Sequence, residues 1–287
     1  MWGECCGEVK EEAVGRGTRV AVLTPHLQRA YTIGHPVYPR TSMTQQTLTA
    51  ILSALAEEQH GLIALLQEPR CVQRAGREFW CGSLAGKPVV LALSRIGKVA
   101  AATTTATLIE AFGVGRVVFT GVAGGVGDGV AVGDLVVGSD FVQHDMDASP
   151  LFPRYEIPLY GQTRFPADAA LMVLLLQASQ AAVAHGPLRA ARVHQGLIAS
   201  GDRFVNGAAE AAALVQALTR GGHPPLAVEM EGAAVAQVCA DYAVPFAAVR
   251  TISDRADDTA HVDFPQFVKD VASVYARSVI NSLMVLL

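Results

Sequence analysis

Continuous apolar runs that alternate with helix-length segments constrain the fold of this chain more than any other feature. From Thr47 onward these runs read as strands, and most lack the apolar–polar alternation of a strand with one wet face. Continuous apolar strands are typical of a sheet that is covered on both faces. The predicted strands are Thr47–Leu55, Val89–Leu93, Arg116–Thr120, Asp134–Val142, Arg192–Ala199, Leu226–Met230 and Pro245–Ile252.

The segments between these strands are predicted to be helices. Glycine, proline and asparagine punctuate the joins, as is usual at element boundaries. Alternating strands and helices predict an α/β fold, here a single-domain three-layer sandwich with a mixed, largely parallel sheet flanked by helices. The predicted helices are Glu57–Gln67, Lys98–Phe112, Ala167–His185, Ala208–Leu218, Gly232–Tyr242 and Pro265–Leu287.

Residues 1–42 differ from the rest of the chain. They contain glycine, arginine, proline and histidine with no sustained hydrophobic period. We interpret them as an extension, a tag or a misassigned start, and we place one functional domain at residues 43–287. This domain contains neither an internal repeat nor an interior linker, so we do not divide it further.

Composition excludes several classes of function. Hydrophobic residues make up 51% of the chain and charged residues 17%, which allows a large core. A net charge of -4 argues against a nucleic-acid partner, because such a partner needs a basic face. No uninterrupted apolar stretch reaches bilayer-spanning length, so no membrane partner is expected. Cysteines at irregular spacings indicate free thiols in the cytoplasm, without a disulfide framework or a zinc site.

Polar residues at the carboxyl ends of strands are the candidates for chemistry, because ligands bind there in open α/β sheets. Glu57 and Glu58 follow the first strand at a predicted helix start, where simple capping is the alternative to a functional role. Thr120–Gly125 is rich in glycine, which lets a backbone approach a ligand, or forms a tight turn. Its spacing fits neither a Walker loop nor a sound dinucleotide fingerprint, so no cofactor is predicted.

Glu229 and Glu231 run out of a short apolar strand into an alanine-rich helix. Strand alternation predicts that both side chains point to the same side. Two like charges there cost free energy unless a ligand or a counter-ion is present. A vicinal diol is a natural partner, because a carboxylate can accept both hydroxyl protons. The alternative is a pair of surface acids at a helix entry.

Arg250 and Asp254 mark the end of the last predicted strand. Arg250 lies within an apolar run, where an unpaired charge is costly, so it must find an acid. Asp254 lies just past the strand, in the position expected of a catalytic group. A structural ion pair between Arg250 and Asp254 is the alternative.

At these clusters the sequence resembles the bacterial 5′-methylthioadenosine/S-adenosylhomocysteine nucleosidases, within the purine nucleoside phosphorylase superfamily. The similar stretches follow one another in family order from about Thr47 to the C-terminus. The resemblance implies a nucleoside phosphorylase-like fold and a homodimer whose partner chain closes the 5′ pocket. The similar stretches are Ala54 to Glu58, Ser94 to Val99, Thr120 to Gly125, His144 to Ala148, Ser200 to Gly207, Val228 to Glu231, Arg250 to Asp254, and Phe264.

The resemblance implies three catalytic carboxyl groups. Asp254 matches the acid that protonates adenine N7, Glu58 the carboxylate that activates the attacking water, and Glu231 the residue that grips the ribose hydroxyls. N-glycosidic cleavage needs a protonated leaving group, and negative charge beside an oxocarbenium-like ribose. By analogy with glycoside hydrolysis, Asp254 must be protonated and Glu58 ionised near neutral pH.

The other matching positions are implied to bind substrate or to support the catalytic groups. Phe204 matches the ring stacked on adenine, Val205 the backbone at the base edge, and Met230 the apolar wall beneath the ribose. Departures from the family include Val122, where serine is frequent, Arg95, where glycine is common, and the loop from Leu151 to Tyr155. The remaining site residues are Phe264 for the 5′-thio pocket, Arg250 and Ser253 as supports for Glu58 and Asp254, Gly124 in the glycine-rich stretch, and Glu229, whose role the resemblance leaves open.

The predicted function is hydrolysis of the N-glycosidic bond of 5′-methylthioadenosine and S-adenosylhomocysteine, releasing adenine and the 5′-thioribose product. A phosphate-dependent phosphorylase on the same fold is one alternative. Arg95 and Arg250 could then bind phosphate, but Glu58 would repel it. An aminodeoxyfutalosine nucleosidase and a catalytically silent nucleoside sensor are two further alternatives.

Overall fold

The computed structural model describes residues 46–59, 61–185, 190–256 and 267–287. A 3₁₀ turn at Ile63–Leu65 precedes β2, and a π-helical segment at Val268–Ala272 leads into the last helix. The strands and α-helices of these residues are β1 Thr49–Ser53, β2 Gln67–Arg74, β3 Arg77–Leu84, β4 Lys87–Leu93, α1 Lys98–Phe112, β5 Arg116–Gly125, β6 Leu135–Gln143, β7 Arg164–Pro166, α2 Ala169–Ala184, β8 Val193–Ser200, α3 Ala208–Arg220, β9 Pro225–Glu229, α4 Gly232–Asp241, β10 Phe246–Asp254 and α5 Ser273–Leu286.

One mixed sheet joins all of these strands. Its order is β10-β6-β8-β9-β5-β1-β4-β3-β2, and β7 pairs with β6. β10 also pairs with β5, so the strands β5, β9, β8, β6 and β10 close into a ring. The predicted α/β fold with a mixed sheet flanked by helices is confirmed. The ring closure is a feature that apolar periodicity does not encode.

Alternate residues of β1 show that this strand is covered on both faces of the sheet. Ala50 and Leu52 belong to a buried cluster that includes residues of α1 and α4. Ile51, between them, belongs to a second cluster that includes residues of α2 and α5. Successive side chains of a strand point to opposite faces. The two helix pairs therefore cover opposite faces of β1, which is why its apolar run is continuous.

Parallel pairing is concentrated in the central strands. β1 pairs in parallel with β4 and β5, β5 with β10, and β8 with β6 and β9. Every residue of β1 and β10 is buried. Parallel strands need covered faces and read as near-continuous apolar runs. This accounts for the agreement between the predicted and observed central strands, except that β5 continues past the predicted end at Thr120 to Gly125.

The predicted helix Glu57–Gln67 is wrong. The chain forms turns after β1, then the single 3₁₀ turn, and β2 begins at Gln67. β2 and β3 form an antiparallel hairpin that the sequence analysis did not predict. The residues of β2 are almost all exposed. Such a strand has no apolar period, so a search for hydrophobic patterns misses it.

Two Ala-Gly pairs form the turns of this hairpin region. Ala75-Gly76 joins β2 to β3, and Ala85-Gly86 joins β3 to β4. All four residues have positive φ, between 47° and 74°. Two-residue hairpin loops favour positive φ because their twist then matches that of the strands. The paired Ala-Gly steps were the sequence signal for the missed strands.

Three predictions fall outside the described residues. They are the extension at residues 1–42, the start of the helix Pro265–Leu287, and the position of Phe264. The domain boundary at residue 43 therefore stays a prediction. None of the helices in the described ranges combines the length and the apolar character needed to cross a membrane.

We expect Gly86→Ala to lower the free energy of unfolding by about 1–2 kcal/mol, because alanine is strained at positive φ. The added methyl group meets no atom within 4 Å, so the effect isolates backbone strain. Urea unfolding measures the change. The control Ala85→Gly should leave stability nearly unchanged, since relaxed strain offsets the greater freedom of the unfolded chain. A Gly86→Ala protein as stable as the wild type would contradict this account of the turn.

Candidate active site

A cavity of about 410 Å³ lies at the carboxyl ends of the central strands. Its volume lies within the range of small-molecule sites. Its walls are built from the ends of β5, β9 and β10 and from the segments that follow β1, β4 and β8. The lining residues are Ala54, Leu55, Glu58, Ile96, Val122, Ala123, Gly124, Arg203, Phe204, Val205, Val228, Glu229, Met230, Glu231, Ser253 and Asp254.

Glu58 lies buried in the turn after β1 and not in a helix. Its Oε2 accepts hydrogen bonds from the backbone N–H groups of Ala54 (2.7 Å) and Leu55 (2.9 Å). Its Oε1 accepts one from Val122 of β5 (3.0 Å). Burial raises the pKa of Glu58, while these N–H groups and the charge of Arg250 oppose the rise. The donors fix the carboxylate at the cavity wall.

Glu229 and Glu231 both line the cavity. The predicted reason, alternation of side chains along one strand, is wrong. β9 ends at Glu229, and Glu231 occupies the position just before α4. The Glu229 carboxylate turns to the start of α4, where it accepts the backbone N–H groups of Gly232 (2.9 Å) and Glu231 (3.2 Å). Glu231 accepts the N–H of Gly97 at 2.9 Å. The alternative of surface acids is wrong, because both residues are buried.

Arg250 finds its acid in Glu229. Its Nη2 donates to Glu229 Oε2 at 2.7 Å, and the guanidinium stacks on the Phe119 ring, 4.0 Å from its centroid. Arg250 is 1% exposed and lies behind the cavity wall instead of lining it. The alternative pair between Arg250 and Asp254 is therefore wrong. An ion pair this deeply buried holds only where its geometry and hydrogen bonding are good.

The charge of Glu229 acts on Glu231. Burial is the largest cause that raises the pKa of Glu231, to about 8, and the neighbouring Glu229 raises it further. The Gly97 N–H and the Arg250 charge lower it in part. Glu231 therefore holds its proton to a higher pH than an exposed glutamate does. The site contains carboxyl groups in unlike environments, which is the arrangement that separates acid and base roles.

Asp254 is the last residue of β10 and points into the cavity. The Ser253 hydroxyl donates to its Oδ2 at 2.7 Å, and the backbone N–H of Ala256 donates to its Oδ1 at 2.7 Å. Gly124 lies opposite on β5. A methyl group there would lie 3.0 Å from Asp254 Oδ1, so a side chain at this position would crowd the carboxyl group. The glycine-rich stretch is thus a strand end, not a tight turn.

The apolar part of the cavity contains Phe204, Val205 and Met230. Phe204 is 45% exposed, which leaves its ring accessible, while Val205 is buried. Val122 also lines the cavity, and its backbone N–H donates to Glu58. Its side chain lacks the hydroxyl of the serine that is frequent at this position in the family. Arg95 has φ 64°, the left-handed region that favours glycine. Its guanidinium donates to the Gly76 carbonyl and lies away from the cavity.

The sequence analysis gave no role to Ser200 or Gly97, and both hold a site carboxylate. The Ser200 hydroxyl donates to Glu229 and accepts the backbone N–H of Ala233 at 2.8 Å. Ser200 is the last residue of β8, so a polar residue at a strand end was an available signal. Gly97 acts through its backbone, which leaves no side-chain signal. In the described ranges no group of three or more His, Cys, Asp or Glu side chains could hold a metal ion.

Comparison with known proteins agrees with the fold. The Phosphorylase superfamily model matches residues 49–284. A 5′-methylthioadenosine/S-adenosylhomocysteine nucleosidase of Shewanella putrefaciens is 38% identical over 218 residues, or 76% of this chain and 90% of that protein. The chain belongs to this nucleosidase family. The nucleosidase of Shewanella pealeana is 36% identical, again over 76% of this chain and 90% of the relative.

Solved structures of the nucleosidase family share the architecture. The Neisseria meningitidis nucleosidase in complex with methylthio-immucillin-A aligns with a TM-score of 0.76 at 35% identity, covering 84% of this chain and all of that one. A futalosine hydrolase of Helicobacter pylori aligns with a TM-score of 0.74 at 33% identity, covering 84% of this chain and 99% of the neighbour. Family membership and fold are thus supported independently.

The raised pKa of Glu231 predicts a pH-dependent stability. Because its pKa is about 8 when folded and near 4.5 when unfolded, the folded protein binds more protons across this window. The contribution of Glu231 to the free energy of unfolding therefore falls as pH rises from about 4.5 to 8. Urea unfolding at several pH values should show a flatter decline for Glu231→Gln than for the wild type. The exposed Glu57→Gln should leave the pH dependence unchanged, and parallel curves for Glu231→Gln and the wild type would contradict the assignment.

We expect Arg250→Met to lower the free energy of unfolding by about 3–5 kcal/mol, because Glu229 would stay buried without its cation. The double variant Arg250→Met/Glu229→Gln should be less destabilised than the single Arg250→Met variant. Urea unfolding of the two single variants and the double variant measures the coupling. Strictly additive effects would mean that the 2.7 Å contact contributes no coupling.

Proposed function

We propose that this protein hydrolyses the N-glycosidic bond of 5′-methylthioadenosine and S-adenosylhomocysteine, releasing adenine and the 5′-thioribose product. The convergence of Glu58, Glu231 and Asp254 on one cavity carries the proposal. These residues follow or end three different strands and lie far apart in the sequence. The names of the relatives support the same reaction.

Asp254 is proposed as the acid that protonates adenine N7. Adenine is a poor leaving group until its ring accepts a proton, so the acid acts as the bond breaks. After the transfer, Asp254 is left as a carboxylate. The Ser253 hydroxyl and the Ala256 N–H donate to its two oxygens and stabilise this anion. Such general-acid action typically contributes about 10²–10⁴-fold to the rate.

Glu58 is proposed as the base that orients and activates the attacking water. All three of its backbone partners are donors, an arrangement that suits the ionised form needed to accept a proton. The raised pKa of Glu58 makes the carboxylate a stronger base than an exposed glutamate. An acid–base catalyst works best when its pKa lies near the working pH.

Glu231 is proposed to bind the ribose hydroxyls. Positive charge builds on the ribose in the oxocarbenium-like transition state, and this charge favours ionised Glu231. An interaction that strengthens only as the bond breaks accelerates the chemical step. Around it, Met230 supports the ribose, and Phe204 and Val205 hold the adenine. Phe264 belongs to the proposed 5′-thio pocket by resemblance alone.

Hydrolysis is favoured over phosphorolysis by the position of the cations. A phosphorylase needs a cationic anion site in its cavity. Arg250 is bound to Glu229 behind the wall, and Arg95 is directed to the Gly76 carbonyl. Among the described residues, Arg203 is the cationic side chain that lines the cavity, and it pairs with Glu210 at 2.7 Å. Glu58 at the place of the nucleophile would repel phosphate.

Aminodeoxyfutalosine hydrolysis is a second candidate, favoured by the likeness to the Helicobacter pylori futalosine hydrolase. This substrate and the 5′-thioadenosines share the adenine and ribose and differ in the 5′ arm. The proposed chemistry of Asp254, Glu58 and Glu231 serves all of them. Adenine release from methylthioadenosine, adenosylhomocysteine, 5′-deoxyadenosine and aminodeoxyfutalosine, compared side by side, separates the two candidates.

We also propose a cytoplasmic homodimer that acts in methionine salvage. Ile96 and Phe204, at the cavity, are 57% and 45% exposed, as expected of apolar residues that a second copy of the chain covers. The free thiols of Cys71, Cys81 and Cys239 suit a reducing compartment. Sedimentation analysis of the purified protein tests the dimer.

We expect Asp254→Asn to abolish adenine release from methylthioadenosine while leaving the fold intact, because the amide cannot supply the proton. Adenine formation is followed with and without phosphate, and circular dichroism checks the fold. An unphosphorylated sugar product supports hydrolysis, and strict phosphate dependence would replace it with phosphorolysis. Wild-type rates in Asp254→Asn would end the assignment of the acid.

A further inference from the structure

Three charged residues next to the cavity form a closed polar ring that the proposed chemistry does not use. They are Lys98 at the start of α1, Asp145 after β6 and Asp202 after β8. None of the three lines the cavity. The loop that contains Asp202 continues directly to Phe204 and Val205, which do line it. This position suggests a role in holding the loop.

The ring is closed by short contacts that use both backbone and side chains. The Lys98 ammonium group lies 2.5 Å from Asp145 Oδ1. The backbone N–H of Asp202 donates to Asp145 Oδ2 at 2.9 Å. The backbone N–H of Lys98 donates back to Asp202 Oδ1 at 2.7 Å. Asp145 thus joins the start of α1 to the Asp202 loop, and each carboxylate has a donor in place.

The same lysine links the ring to α4. Lys98 Nζ also contacts Gln143 Oε1 at 3.0 Å, and the Gln143 amide donates to Gln237 of α4 at 2.8 Å. The Lys98 side chain is only 15% exposed, so water screens its contacts weakly. The hydrogen bond from Lys98 is the main cause that lowers the pKa of Asp145, against the effect of burial. Asp145 therefore stays ionised, and the contact with Lys98 holds through the neutral range.

A packing contact supports the loop from below. A methyl group added at Gly201 would lie 2.2 Å from the His144 ring, so the imidazole rests directly on the backbone before Asp202. Burial lowers the pKa of His144 and keeps the ring neutral, although Asp145 acts in the opposite direction. The residue pair His144-Asp145 thus holds two successive residues of the loop, Gly201 by packing and Asp202 by a hydrogen bond.

We infer that Lys98, Asp145 and Asp202 form a latch that positions the adenine-binding loop. The latch acts through Phe204 and Val205 and does not touch the reacting atoms, so its members are positioning residues. This inference rests on the proposed function, because it requires that Phe204 stacks on adenine. A loop that is held in place before the base arrives loses less conformational entropy on binding. Loss of the latch should therefore weaken binding more than catalysis.

The test compares Lys98→Met with the control Arg164→Met, which removes the cation of an ion pair to Asp140 at 3.1 Å, away from the cavity. Adenine affinity is measured by calorimetry, and kcat and KM by adenine release from methylthioadenosine. We expect Lys98→Met to weaken adenine binding and raise KM roughly tenfold, the effect of one lost charge-assisted hydrogen bond. We expect kcat to fall less than KM rises, and Arg164→Met to match the wild type.

A double-mutant cycle then tests whether the effect arises from the contact between Lys98 and Asp145. Asp145→Asn should weaken adenine binding like Lys98→Met, and the double variant should be little worse than either single variant. Adenine affinity and KM equal to wild type in both single variants would overturn the latch. Variants that lose thermal stability without raising KM more than they lower kcat would also overturn the latch. If the wild-type protein itself neither binds nor releases adenine, the proposed function fails first.

Discussion

The buried ion pair between Arg250 and Glu229 is the interaction on which the site depends. The Glu229 carboxylate accepts a hydrogen bond from Arg250, and it also accepts the backbone N–H of Gly232 at the start of α4. Through these contacts it sets where Glu231 lies and how strongly that residue holds its proton. Burial raises the pKa of Glu58 and of Glu231, and the charge of Arg250 opposes this rise. One structural cation thus adjusts two proposed catalytic groups without lining the cavity.

The three cavity carboxyl groups differ because their partners differ. Glu58 accepts hydrogen bonds from backbone N–H groups. Burial and the charge of the neighbouring Glu229 raise the pKa of Glu231. Asp254 accepts hydrogen bonds from a hydroxyl group and a backbone N–H group. A single reaction that needs an acid, a base and a counter-charge requires such unlike environments. Strand ends are suited to this, because each contributes its own local backbone donors.

Much of this architecture could be predicted from the sequence, and the failures have physical causes. Buried central strands such as β1 and β10 were found because burial on both faces leaves an apolar run. The exposed strand β2 was missed because it has no apolar period, and Glu58 was assigned to a helix because turns and helix starts use the same acids. The placement of Glu58, Glu231 and Asp254 at strand ends could be predicted from the apolar pattern, whereas their selection as the catalytic trio came from the family resemblance. The partner of Arg250 could not be predicted, since ring closure brings β10 beside β5 and the β9 end.

The ring of strands divides the proposed chemistry into two separable parts. Asp254, Glu231 and the Phe204 loop all follow or end strands of the ring, whereas Glu58 follows β1, which lies outside it. The residues proposed to bind the nucleoside and the residue proposed to activate the nucleophile therefore lie in different pieces of the chain. A change in the short turn after β1 would alter the proposed base without touching the strands of the ring. The residues proposed to bind the nucleoside and to protonate the base keep their places in the ring of strands when that turn changes.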